Sequence, residues 1–308
     1  MDNRVGAREL IRQNMAKKTG RLDKAMPVVL FLAASVSVLT TIGIVLTLVF
    51  DAAMFFRRVP WHEFFGSTEL APLGPEPKFG MLPLLNGTIM TSLIAMVVAV
   101  PIGLTAAIYL SEYASDRTRA YVKPVMEVLA GIPTIVYGFF AYSYVTPLLS
   151  HLIPSLGAKN ALSPGIVMGI MIIPMVASLS EDAMNAVPRS MREGALALGS
   201  TKLEMTWKVV IPAALSGIIA SFVLAVSRAI GETMIVTIAG GSSKQFTFDV
   251  TQSMQTMTAY IVEFTSGDAG SGTVGYYSLY AVGLTLFVFT LLMNMLAQRI
   301  SKKFRERY

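Results

Sequence analysis

The chain has 308 residues, 54% hydrophobic and 14% charged, with a formal net charge of +6 and a mean hydropathy of +0.60. Soluble domains carry about a quarter charged residues, so this is a membrane composition. The absence of cysteine excludes disulfide frameworks, thiolate metal centres and cysteine nucleophiles, and two histidines in different loops, His62 and His151, do not make a metal cluster.

A helix crosses the hydrocarbon core with about 20 mostly apolar residues. In chain order the sequence predicts six such spans, at 27–50, 88–110, 125–149, 162–179, 213–239 and 276–297. The first follows a basic segment, has no small-residue cleavage site and is too long for a signal-peptide core, so a retained helix is expected. Pro174 is expected to kink the fourth. The loops 51–87 and 240–275 are long and rich in Gly, Pro, Ser and Thr. They read equally well as flexible connectors or as a docking surface for an external partner.

Basic residues divide unevenly between alternate loops. Nineteen lie in the N-terminal segment, in the loops holding Arg117, Arg119, Lys123 and Arg189, Arg192, Lys202, Lys208, and in the C-terminal tail. The opposite side holds five: Arg57, Arg58, Lys78, Lys159 and Lys244. This asymmetry predicts that both termini face the cytoplasm, and dispersal of the charge over membrane-flanking loops argues against nucleic acid as a partner. The expected layout is a basic cytoplasmic segment 1–26, a first helix with its outer loop 27–87, a transmembrane domain 88–297 and a basic cytoplasmic tail 298–308.

Between the fourth and fifth stretches, 181–211 is too polar to cross the membrane and reads as short amphipathic helices. It contains Glu193-Gly194-Ala195, then Gly199, then nine residues, then Val209-Val210-Ile211-Pro212. This resembles the cytoplasmic signature of permeases in binding-protein-dependent ABC importers, Glu-Ala-Ala, three residues, Gly, nine residues, Ile, any residue, Leu-Pro. The spacing is kept, while Gly194, Val209 and Ile211 are replacements. Small residues let such a helix pack closely or turn sharply. Leu196, Leu198 and Leu203 give it an apolar face suited to a partner's groove. Glu193 is expected near the helix start, where the dipole favours a carboxylate, and Pro212 at the start of the next membrane helix. The spacing favours an ATPase-coupling segment, 181–212, over an ordinary interfacial helix.

The chain lacks the G-x-x-x-x-G-K-[ST] loop that cradles nucleotide phosphates. Neither Gly240-Gly241-Ser242-Ser243-Lys244 nor 267–272 has its ending. No cofactor is expected on this chain, and ATP and Mg belong to a partner ATPase.

Arg228 lies close to the middle of the apolar fifth stretch, with Glu232 four residues on and on the same helix face. The two read either as a mutually neutralising pair or as a pathway site. In the pathway reading Arg228 presents donors to an oxyanion, and Glu232 holds the guanidinium or takes part in gating. The Arg-before-Glu order is the weaker helix pair, which favours the pathway reading. Glu127 and Pro133 are assigned no substrate contact, and the 19 methionines read as adaptable packing.

The segment Arg228-Ala229-Ile230-Gly231-Glu232-Thr233-Met234, with Glu127-Val128-Leu129-Ala130-Gly131-Ile132-Pro133-Thr134-Ile135-Val136-Tyr137-Gly138, resembles the PstC-type permease subunit of phosphate-specific uptake transporters. The resemblance implies an all-α, six-span MetI-like fold of type I importers, with Arg228 and Glu232 on the family's intramembrane arginine and glutamate. It also implies inorganic phosphate as cargo and a bacterial inner-membrane location. The implied partners are a PstA-type permease, a PstB-type ATPase dimer and a PstS-type extracytoplasmic phosphate-binding protein. The rivals are another oxyanion such as sulfate or molybdate, and an ion-gradient-driven transporter. An intramembrane enzyme would need a nucleophile and base in a pair, which the sequence does not offer.

Overall fold

The computed structural model describes residues 21–303 other than 269 and 271. The basic residues before position 21 and after 303 lie outside the described residues. Helices α1 (Arg21–Phe56) and α2 (Trp61–Gly66) lead to a two-strand antiparallel hairpin, β1 (Leu70–Ala71) and β2 (Lys78–Phe79), in which Leu70 pairs with Phe79. Then follow α3 (Leu82–Ile108), α4 (Asp116–Gly131), α5 (Thr134–Phe140), α6 (Thr146–Leu152) and α7 (Leu162–Asn185). The remainder comprises α8 (Arg189–Ala197), α9 (Lys202–Met205), α10 (Ile211–Ile230), α11 (Met234–Ala239), α12 (Met257–Glu263) and α13 (Val274–Lys303). The chain divides into two compact units at Asp51/Ala52.

Among the described residues, five helical stretches are long and apolar enough to span a membrane: Ala25–Phe56, Leu82–Tyr113, Leu162–Asn185, Lys202–Ile230 and Val274–Ile300. The sixth expected span, 125–149, is not one straight helix. Asp116–Gly131 and Thr134–Leu152 meet at 86°. The cause is local: Ile132 precedes Pro133, and both adopt extended backbone (ψ 130° and 136°), the conformation forced on a residue before proline. Tyr137 Oη donates to the Leu129 carbonyl at 2.8 Å, satisfying one acceptor exposed by the break. The fifth expected span, 213–239, is also broken, since α10 ends at Ile230 and α11 begins at Met234. By contrast α7 runs through Pro174 without interruption, six residues beyond the expected end.

Pro212 is the second residue of α10, at the helix start where it was expected. It lies inside the continuous stretch Lys202–Ile230, directly after a π-turn at Thr206–Val210 that Ile211 N closes onto the Thr206 carbonyl. The same device, a π-turn at Ala141–Val145, precedes Pro147. A widened turn leaves room for a ring that would otherwise meet the carbonyl four residues back.

The core of the second unit is α3 against α7, joined through small residues. Ala95, Ala99 and Ala107 of α3 are fully buried. A Cβ on Gly169 would come within 2.7 Å of Val98 Cβ, and one on Gly165 within 2.7 Å of Ile94 Cβ. Membrane helices gain little from hydrophobic exclusion of one another, so close approach at small residues is what holds them. Helix α10 packs on the same α7, with the buried hydroxyls of Ser180 and Ser221 bonded at 2.8 Å.

The loops 51–87 and 240–275 are built rather than loose. Phe55 stacks edge-on against Phe56, Phe64 and Phe79. Met254, Gln255, Thr256, Met257 and Tyr260 are buried, and Thr88 Oγ1 accepts from Met257 N at 3.0 Å. Asp249 accepts from the Thr251 hydroxyl and amide, which hold its carboxyl below the usual range.

Candidate functional site

Arg228 occupies the last turn of α10. Its guanidinium lines a cavity of about 450 Å³ together with Lys123, Glu127, Met171, Pro174 and Ser178. Its Nη2 lies 4.0 Å from Met171 Sδ, and among the described residues it has no ion pair.

Glu232 does not complete the expected pair. The helix stops at Ile230, so the four-residue spacing no longer stacks Glu232 over Arg228. The Glu232 carboxylate turns to α11, accepting from Met234 N at 3.1 Å and Ile235 N at 3.3 Å. A carboxylate at a helix start satisfies amides that have no partner within the helix. The Glu232 carbonyl accepts from Thr258 Oγ1 at 2.8 Å, which ties the break to α12.

In the 193–212 segment, Glu193 is the fifth residue of α8, in mid-helix rather than near its start. Helix α8 closes with Gly199 at φ +87°, Gly199 N donating to Leu196 O (3.0 Å) and Ser200 N to Ala195 O (3.2 Å). This paired closure needs the left-handed conformation that glycine adopts without steric cost. A Cβ on Gly194 would meet nothing within 4 Å. Leu196, Leu203 and Trp207 are exposed, and Leu198 is 89% exposed, an apolar edge without cover from this chain. Thr201 and Glu204 then form a reciprocal capping box at the start of α9.

Beside this segment lies a polar network that sequence reading did not single out. Arg192 of α8 reaches Glu112 at 3.1 Å and also donates to the Val187 and Met184 carbonyls at 2.6 and 2.7 Å. Glu181, fully buried near the end of α7, faces Arg119 Nε and Lys123 Nζ, each at 3.2 Å. Arg119 in turn donates to Leu110 O at 2.6 Å. The network therefore joins the ends of α3 and α7 to α4 and α8. The basic members were visible only as loop charges. The available signal was the pair of carboxylates, Glu112 and Glu181, placed directly at the ends of apolar stretches.

At the opposite end of α3, a groove of about 900 Å³ runs between the 68–78 hairpin region and 244–246. Lys78 pairs with Glu69 there, which raises the Lys78 pKa, and Lys244 is held by Glu263 at 2.9 Å.

Residues 99–306 match the family of binding-protein-dependent transport system inner membrane components. The chain is 30% identical to a probable ABC transporter permease protein, YqgH, of Bacillus subtilis, over 95% of this chain and 94% of that one. It is 36% identical to the phosphate transport system permease protein PstC of Xylella fastidiosa, over 78% and 80% of the two chains. The corresponding probable permease of Methanocaldococcus jannaschii is 31% identical, over 82% and 87%. Among solved structures, a bacterial ABC transporter that imports the acidic polysaccharide alginate shares the fold, with TM-score 0.60 at 13% identity over 92% of this chain and 98% of that one. The MetNI methionine transporter does so with TM-score 0.54 at 15% identity, over 74% and 95%. The fold is thus the all-α MetI-like fold of importer permeases, in which the ATPase and the binding protein are separate components, and the chain is a transport subunit rather than an enzyme. This multi-pass membrane chain belongs to the binding-protein-dependent transport system inner membrane component family, and within it to the PstC permeases.

Proposed function

We propose that this chain is one half of the translocation pathway of an ATP-driven importer of inorganic phosphate, set in the bacterial inner membrane with both termini in the cytoplasm. The observation that carries the reading is Arg228, a guanidinium on a membrane-spanning helix that lines a cavity without a carboxylate partner among the described residues. An intramembrane cation held in that way needs an anion or water, and its planar fork suits an oxyanion. The phosphate transport permeases among its relatives narrow the oxyanion. Glu232 serves the site indirectly, fixing the break that ends α10 just beyond Arg228.

The partners follow from three faces. A PstB-type ATPase dimer, carrying ATP and Mg, takes α8 and the segment from Glu193, Gly194 and Ala195 through Gly199 to Pro212, where Leu198 and Trp207 stand exposed. A second, PstA-type permease lies against the exposed apolar residues of α4 and the bend after it, among them Tyr121, Val128, Tyr144 and Leu148, with lipid covering the rest. A PstS-type phosphate-binding protein docks over the groove at the far end. The end bearing Arg119, Lys123, Arg192 and Lys208 is cytoplasmic by the positive-inside rule.

Competition in vesicles containing the assembled transporter tests the cargo. Unlabelled phosphate is expected to suppress uptake of labelled phosphate, while the same concentration of sulfate or molybdate leaves it intact. Equal displacement by sulfate or molybdate would overturn the assignment.

A further inference from the structure

Lys123 stands where the cavity meets the buried network. Its Nζ lies 3.2 Å from Glu181 Oε1 and 3.8 Å from Asp182, and the same side chain lines the cavity that contains Arg228. Glu181 does not depend on it alone. The same Oε1 accepts from Asn185 Nδ2 at 3.3 Å and forms an ion pair with Arg119, whose Nε lies 3.2 Å away, and Arg119 donates from Nη2 to the carbonyls of Leu110 and Ser111. Arg119 is therefore the anchored cation of the pair. Lys123, one-third exposed and carrying a compact ammonium on a flexible stem, is the exchangeable one.

The two cavity cations sit in succession rather than around one point. Arg228 meets Met171 and Lys123 meets Glu181, ten residues apart on α7, which is about 15 Å at the rise of an α-helix. Bonds to one phosphate span about 3 Å from each donor, so the cations form two stations along one wall. Glu127, one turn from Lys123 on α4, also lines the cavity and offsets part of the positive charge, which limits how tightly an anion is retained.

We propose that Lys123 is a second phosphate-binding residue, exchanging the carboxylates of Glu181 and Asp182 for the anion at the cavity end nearer α8. This rests on the reading of Arg228 as an anion contact. Because the chain has no cysteine, Lys123→Cys introduces its single thiol. In vesicles holding the assembled transporter, with the parent complex treated in parallel to register partner thiols, uptake by Lys123→Cys is expected to fall about tenfold or more. Aminoethyl methanethiosulfonate, which rebuilds an ammonium of nearly lysine length, is expected to restore at least about half of it, and the anionic sulfonatoethyl reagent none. Inorganic phosphate is expected to slow modification several-fold relative to chloride. Lys123→Arg keeps the charge and is expected to transport.

A residue that merely neutralises Glu181 behaves differently: Lys123→Gln combined with Glu181→Gln would then regain uptake, whereas an anion station leaves that double variant impaired. Parent-like uptake by Lys123→Cys, recovery in the double variant, or a modification rate indifferent to inorganic phosphate, as when a lipid headgroup is the ligand, would overturn the proposal. Arg228→Gln measured alongside separates the two readings. If it blocks uptake while the Lys123 variants transport normally, only the second station falls; if it transports normally, the reading of Arg228 as an anion contact falls.

Discussion

Arg228→Gln is expected to reduce phosphate uptake by about 100-fold or more while the assembled transporter still forms. Each charge-assisted hydrogen bond contributes about 1.5–3 kcal/mol, and a bidentate fork makes two. At about 1.4 kcal/mol per tenfold, their loss is of that order. Assembly survives because Arg228 makes no ion pair among the described residues and lines a cavity, so glutamine strands no buried carboxylate. Labelled uptake, read against co-purification of the partner chains, checks both halves. Normal uptake by a correctly inserted variant would remove Arg228 from the pathway. Glu232→Gln acts by another route: it weakens the anchor at Met234 and Ile235 without removing an anion contact, so a smaller loss is expected.

Gly199→Val is expected to cut co-purification of the ATPase about tenfold or more. At φ +87° a side chain costs about 1–2 kcal/mol, and a β-branched one fits worse. The chain escapes that cost by opening the closure made by Gly199 N and Ser200 N, which moves Leu198 and the start of α9 together. Gly194→Ala is the matched control. It enters open space in a helix, where alanine is favoured by about 1 kcal/mol, so coupling should persist. Co-purification and ATP-dependent uptake of the two variants give the comparison, and equal behaviour of both would remove Gly199 from the coupling surface.

Length and apolarity placed the spans well where a helix runs uninterrupted, as in Leu82–Tyr113 and Val274–Ile300. They misplaced the two where it does not. Hydropathy sums over a window and is blind to a break of two or three residues, so Gly131-Ile132-Pro133 and Gly231-Glu232-Thr233 passed as interior positions. Pro133 carried the necessary signal, since a residue before proline avoids the helical region. Pro174 and Pro212 show why that signal is not decisive: α7 continues through the first, and a π-turn absorbs the second. The spacing from Glu193 to Pro212 was legible because it is local. The pairs joining Glu181 to Arg119 and Arg192 to Glu112 bring together residues 62 and 80 positions apart. Only the packing of α3, α4, α7 and α8 brings them into contact.

The carboxylates of Glu181 and Glu112 are buried while their cations stay partly exposed, so removing a cation leaves a buried carboxylate short of a partner. Arg192 links α8 to Glu112, and Ser111, Asn185 and Arg119 continue the contacts to Glu181.

The most direct measurement is labelled phosphate accumulation in vesicles, comparing this chain alone with the chain assembled with its second permease, ATPase and binding protein. Accumulation is expected only in the complete assembly and only with ATP on the ATPase side. Phosphate movement by the chain alone, driven by an ion gradient without ATP, would contradict it.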